Sequence, residues 1–160
     1  MTTIVFCVAP KNPKRDSASL ETRVFVALLK AADRLSQQAE DLMKQHGLTG
    51  TQYNVLRILR GAEPSGLPCK GISNRMISHD PDMTRLLDRM EKRGMISRER
   101  QSDDRRVVKT RITAAGLEIL RKLDMPVQEM HHRQFRELGA ARLKTLATAL
   151  EEVFPVHEES

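Results

Sequence analysis

Residues 84–113, TRLLDRMEKRGMISRERQSDDRRVVKTRIT, confine what the chain can fold into more than any other stretch. Leu86, Leu87 and Met90, with Met83 just ahead, recur at the three- and four-residue spacing of one helix face. Lys92 and Arg93 complement the carbonyl end of that helix, and Gly94 supplies a left-handed stop. Residues 96–101 and 107–112 then flank the turn Ser102-Asp103-Asp104-Arg105 as two strands of a hairpin. Between Arg85 and Arg111 stand ten Lys or Arg and five Asp or Glu, a local balance of +5 in a chain that totals +6. Positive charge gathered on one helix and one hairpin is the footprint of a surface that meets the DNA backbone.

Upstream, Leu20, Val24, Ala27, Leu28, Ala31, Leu35, Ala39 and Leu42 keep helical spacing, and Gly47 ends the run. Thr49 and Gln52 stand at the two positions of a capping box, and Leu48 and Tyr53 at those of a hydrophobic staple. They predict a second helix from about Gly50 to Arg60 with Tyr53, Leu56 and Leu59 inward, closed by Gly61. AEPSGLP reads as loop, and a short third helix is expected from Lys70 to Ile77. Asp80 and Pro81 read as the N-cap and first turn of the helix that carries Met83–Met90. Thr113 caps a long fifth helix bearing Leu117, Leu120, Leu123, Val127 and Met130, which Pro126 should kink or split. A last helix is expected from Ala140 to Phe154, and residues 1–16, containing PKNPKRD, read as an extension.

Two short helices followed by a two-stranded hairpin make a winged helix-turn-helix, whose second helix enters the major groove. With its apolar stripe buried, that helix turns out Asp82, Thr84, Arg85, Asp88, Arg89 and Lys92. Thr84 and Arg85 stand near the end that enters deepest. A fork from Arg85 matches a guanine edge, and Asp82 can accept from a cytosine amino group. The alternative is a solvated face with Arg–Asp pairs at helical spacing. Asp104, Arg105 and Arg106 cluster at the hairpin tip, where a guanidinium can reach a phosphate or a minor groove.

Residues 84–116 resemble the recognition helix, wing and following helix start of the MarR family of bacterial transcriptional regulators. That family's pattern reads T-R-L-hydrophobic-D-R-L-E-K-R-G-L, then D-x-R, then hydrophobic-T-x-x-G. Asp104 and Arg106 occupy the D-x-R positions, Ile112-Thr113 the hydrophobic-Thr, and LTGTQYNVLRIL resembles the family's second helix. Pro81-Asp82-Met83 replaces the Ser/Thr often found there, and PSGLPCKG departs from the usual T-x-x-E-L-A. The resemblance implies a mainly α chain with a small β wing that represses or activates from a pseudo-palindromic operator on double-stranded DNA. It also implies a homodimer and response to a small-molecule effector or an oxidant. On this reading residues 48–113 form the DNA-binding region, while 17–47 and 114–160 form a helical dimerisation region. Asp82, Thr84, Arg85 and Arg89 serve the major groove, Arg105 and Arg106 the wing, and Asp104 orients Arg106.

Other chemistries have little to stand on. Neither a Gly-rich phosphate loop nor a catalytic triad or HExxH segment occurs, so no enzyme and no cofactor is expected. His131-His132 lacks companions at ligand spacing, so no metal is expected either. Cys7 and Cys69 make no disulfide framework, which fits a reducing cytosol, and no apolar run reaches the length of a membrane span. Two alternatives stay open. Cys69 precedes a helix, where a thiol can sense oxidants, and a winged helix can serve as a protein-interaction module. The arginine-rich wing argues against the latter.

Overall fold

The computed structural model describes residues 18–77, 82–100 and 108–153. The chain runs α1 (Leu20–Gln45), α2 (Gly50–Gly61), β1 (Leu67–Pro68), α3 (Cys69–Asn74) and α4 (Met83–Lys92). It continues with β2 (Ile96–Arg100), β3 (Val108–Ile112), α5 (Ala114–Phe135), a 3-10 turn (Arg136–Leu138) and α6 (Gly139–Val153). Packing divides it into two units, one ending at Ser36 and the other beginning at Gln37. In the first, the early turns of α1 carry Leu20, Val24, Phe25, Val26 and Leu29 exposed to solvent.

The second unit holds the core. Val55, Leu56 and Leu59 of α2, Ile72 of α3, and Met83, Leu86, Leu87 and Met90 of α4 are buried together with Ile96 and Ile112 of the sheet. Leu120, Leu123, Val127 and Met130 of α5 join the same cluster. Methionine and branched aliphatics do this work because the chain has no Trp and only 3% aromatics. Their spacing therefore sets which faces turn inward: the predicted stripes on α4 and α5 are the buried ones. On α2 the buried set is Gln52, Val55, Leu56 and Leu59, with Tyr53 only half-buried.

Local capping fixes where the elements begin. Thr49 Oγ1 accepts from the Gln52 amide at 3.2 Å while Gln52 Oε1 accepts from the Thr49 amide at 3.2 Å, closing the expected capping box. Thr113 Oγ1 accepts from the Gly116 amide at 3.1 Å and opens α5. At the end of α4, Gly94 has φ +71°, and the Met95 amide donates back to the Met90 carbonyl at 3.1 Å. This six-to-one bond needs a left-handed residue, which glycine supplies without a Cβ clash.

Several expectations are corrected. The sheet has three strands in the order β1-β3-β2, because Leu67 and Pro68, expected in a loop, pair antiparallel with Thr110 and Lys109. Pro68 is tolerated there because β1 is an edge strand, where a missing N–H breaks no ladder. The hairpin itself pairs Ile96 with Ile112 through Arg100 with Val108. The helix α4 begins at Met83 with Asp82 in the N-cap position, not at Asp80-Pro81, and α3 stops at Asn74 rather than Ile77. The Asp82 side chain makes no capping bond; it faces Arg85 instead.

Pro126 neither ends nor splits α5, which runs unbroken from Ala114 to Phe135. A mid-helix proline costs about 3 kcal/mol. Four buried apolar side chains, Leu120, Leu123, Val127 and Met130, bracket it at roughly 1.5–3 kcal/mol each, so packing outweighs the break. The chain turns instead at Arg136–Leu138, and α6 then begins at Gly139. Residues 1–17, Asp80, Pro81, residues 101–107 and Phe154 lie outside the described residues.

Candidate nucleic-acid interface

With Met83, Leu86, Leu87 and Met90 buried, α4 presents Thr84, Arg85, Arg89 and Lys92 to solvent. The helix is short, and its polar face is dominated by cations. Arg85 is 78% exposed and lies 3.3 Å from the Asp82 carboxylate, one turn away at the helix start. Such an exposed pair is worth little in stability, about 0–1 kcal/mol, and Arg85 can exchange it for another acceptor at small cost. Thr84, Arg85 and Arg89 are therefore exposed on one helix, with Asp82 at its N-cap beside Arg85. Asp104, Arg105 and Arg106 lie outside the described residues.

The remaining charges divide into two kinds that the sequence does not distinguish. Lys92 and Arg100 are exposed. Arg93, Arg98 and Arg111 are engaged within the fold. Arg111 donates to the Pro64 carbonyl and so holds the loop before β1 against β3. Arg93 donates to the Gly47 carbonyl at 2.8 Å and to Gln52 Oε1 at 3.3 Å, tying the end of α4 to the turn that joins α1 and α2.

Arg98 is the most constrained. Its Nε and Nη2 reach Glu91 Oε2 at 2.8 and 2.6 Å, and Nη2 also reaches Asp88 Oδ1 at 2.6 Å. The Arg98 amide donates to Glu91 Oε1 at 3.1 Å, so both oxygens of Glu91 are used. The Glu91 hydrogen bonds, with Asp88 beside them, raise the guanidinium pKa above its usual value despite partial burial. Reading the sequence missed this group, because Glu91 and Arg98 are separated by a turn and a change of element and share no periodicity. The only signal was the presence of two carboxylates, Asp88 and Glu91, on a helix whose charge is otherwise basic.

Cys69 begins α3 and is half-buried. Among the described residues, no three His, Cys, Asp or Glu side chains are grouped to hold a metal ion. No described helix is long and apolar enough to cross a membrane.

Comparison with known proteins agrees with this architecture. Residues 48–108 match the sequence profile described as the MarR family. The chain is 29% identical over 143 residues to the HTH-type transcriptional repressor IacR of Pseudomonas putida, covering 89% of this chain and 84% of that repressor. It is 37% identical to the MarR transcription factor of Planctomyces limnophilus, whose crystal structure superposes with a TM-score of 0.66 over 84% of this chain and 98% of that one. The fold is also that of a mutant MarR of Escherichia coli crystallised in complex with operator DNA, at a TM-score of 0.74, 20% identity, and coverage of 86% and 100% of the two chains.

Proposed function

The chain belongs to the MarR family of transcriptional regulators, and we propose that it acts as a homodimeric repressor on a pseudo-palindromic operator, modulated by a small ligand. The observation that carries this reading is the two-faced helix Met83–Lys92, with four apolar side chains buried and Thr84, Arg85, Arg89 and Lys92 turned out. A helix of this size with a cationic outer face fits the major groove, which admits one α-helix. Thr84 and Arg85 read base edges, and Asp82 and Arg89 position the helix. Arg105 and Arg106 on the wing meet phosphate or the minor groove, with Asp104 orienting Arg106.

Three observations support the remaining parts. IacR is named a repressor, and the Escherichia coli MarR mutant was crystallised on operator DNA, which favours repression through duplex binding. Leu20, Val24, Phe25 and Leu29 leave the start of α1 apolar and exposed, and α6 buries no residue while exposing Leu143, Leu146 and Val153. Apolar surface on that scale usually marks an interface, here with a second copy of the chain. A cleft of about 360 Å³ between the end of α1 and α5, lined by Leu42, Gln45, Met130 and Arg133 among others, offers room for an effector.

The test is selection of duplexes from a randomised pool, followed by binding at several salt concentrations. A selected sequence with two-fold symmetry is expected. For on the order of 6–10 phosphate contacts, affinity should fall about 10³–10⁵-fold between roughly 50 and 200 mM salt. A flat salt dependence would remove the basic surface from the reading.

A further inference from the structure

We infer that Arg98 is a specificity-determining positioning residue: its fork onto Asp88 and Glu91 fixes the wing to α4, so that helix and wing meet DNA in one register. The inference rests on the DNA-binding reading above, and adds a residue that need not touch DNA itself.

Three hydrogen bonds join the Arg98 amide and side chain to the two oxygens of Glu91, and Asp88 accepts from the same guanidinium. Asp88 and Glu91 lie one turn apart on α4, on the flank facing the sheet. Arg98 stands at the middle of β2, paired with buried Thr110 of β3. The Arg98 side chain is 26% exposed while Asp88 and Glu91 are 43% and 37% exposed, so the geometry of the fork, not its burial, supplies the constraint. A planar guanidinium holding two carboxylates constrains angle as well as distance, which a single ammonium cannot do.

The location gives that constraint a consequence. Arg100, two residues further along β2, is the last described residue before the wing tip. Any rotation of the hairpin about its base moves the tip laterally while leaving its charge unchanged. Base readout needs the helix and the wing placed to within a fraction of an ångström, whereas phosphate attraction tolerates looser placement. Loosening the fork therefore costs discrimination between sequences before it costs attraction to DNA in general. Ordinary fold stabilisation would instead lower both together.

The experiment uses the full chain with Arg98→Lys, Glu91→Gln and the double variant. Each is titrated with a duplex selected by the wild-type chain and with a scrambled duplex of the same composition. Arg98→Lys keeps the charge and removes the fork. It should reduce the ratio of selected to scrambled affinity about tenfold or more, while scrambled binding and its salt slope stay close to wild type. Glu91→Gln should lose a similar factor, and the double variant no more than the larger single loss, because the two share one contact. An unchanged ratio in Arg98→Lys overturns the inference, as does an equal fall on both duplexes. A variant that melts at a much lower temperature and recovers its ratio on cooling assigns Arg98 to stability alone, which also overturns it. If the wild-type chain shows neither a preferred duplex nor a salt slope, the DNA-binding reading itself fails, which is a separate result.

Discussion

Thr113 Oγ1 donates to the Gly94 carbonyl at 2.7 Å, joining the residue that starts α5 to the glycine that ends α4. The same oxygen accepts from the Gly116 amide, so one hydroxyl both caps a helix and anchors the base of the wing. Thr113→Ala removes a cap, worth about 0.5–2 kcal/mol, and a hydrogen bond worth about 1 kcal/mol. Unfolding in urea should register a loss of roughly 1–3 kcal/mol, and Thr113→Ser should recover most of it. A serine variant as unstable as the alanine would assign the effect to the lost methyl group.

Gly116 answers to a different constraint in the same corner. A Cβ there would meet the Met95 carbonyl oxygen, lie 2.7 Å from Ile112 Cγ1, and sit 3.3 Å from a methyl of Leu56. The Met95 carbonyl is backbone and is already held by the Thr113 amide at 3.1 Å, so it cannot swing aside. Alanine would gain about 1 kcal/mol in helix propensity, yet the overpacking should cost more. Gly116→Ala is expected to lower stability by a net of up to about 2 kcal/mol in the same urea titration. A neutral or stabilised variant would mean that α5 can slide away from the sheet.

What could be read from the sequence was local. The capping box of Thr49 and Gln52, the Thr113 cap and the Gly94 stop each involve residues within about one turn, where spacing alone sets geometry. The buried stripe of α4 was equally legible, since Met83, Leu86, Leu87 and Met90 admit one helical face. The features that were not legible depend on distant partners. Leu67-Pro68 becomes a strand only because Thr110 and Lys109 arrive beside it. Pro126 stays inside a helix because apolar burial on both sides outweighs its local cost. In the candidate interface, Arg93, Arg98 and Arg111 counted as surface charge, although each is bound to a residue at least seven positions away.

Tyr53, the only tyrosine in a chain without tryptophan, offers a clean optical probe. Partial burial raises its phenol pKa above 10.0, with nearby Arg57 opposing the shift. The Arg57 guanidinium lies 5.9 Å from the ring centroid. Since the folded value exceeds the unfolded one, the protonated phenol favours the fold. That contribution is complete below the unfolded pKa and is lost as pH rises through the folded one. Phenolate absorbance should therefore titrate above 10.0 in the native chain and shift down in urea. A native midpoint at or below the unfolded one would place the ring in water.

The start of α1 tests assembly. Phe25 is 53% and Val24 49% exposed, which suits a face covered by a second copy. Replacing both with glutamate buries two charges in the proposed interface, a change costing several kcal/mol across a symmetric contact. Sedimentation should shift from dimer to monomer, with loss of binding to a two-fold symmetric duplex. A double variant that sediments as a dimer would move the interface away from this face.

The two elements proposed to meet DNA should fail in different ways. Arg85 projects from the exposed face of α4 near its start, so Arg85→Ala should cost roughly 1–3 kcal/mol per half-site and relax preference at one base pair. Arg106 lies outside the described residues; the proposed reading puts it on the wing, where contacts to phosphate or a narrow minor groove carry less base information. Arg106→Ala should therefore weaken all duplexes by similar factors, apart from a dependence on groove width. Asp104→Ala should follow Arg106→Ala, because an unoriented guanidinium keeps its charge and loses its geometry. Arg85→Ala should leave the fold intact, since its contact with Asp82 is an exposed pair of small energy. Each variant is titrated with the selected duplex and with every single-base change in one half-site. If Arg85→Ala lowers all of these equally while Arg106→Ala changes the preferred base, the helix and the wing have exchanged the roles assigned to them.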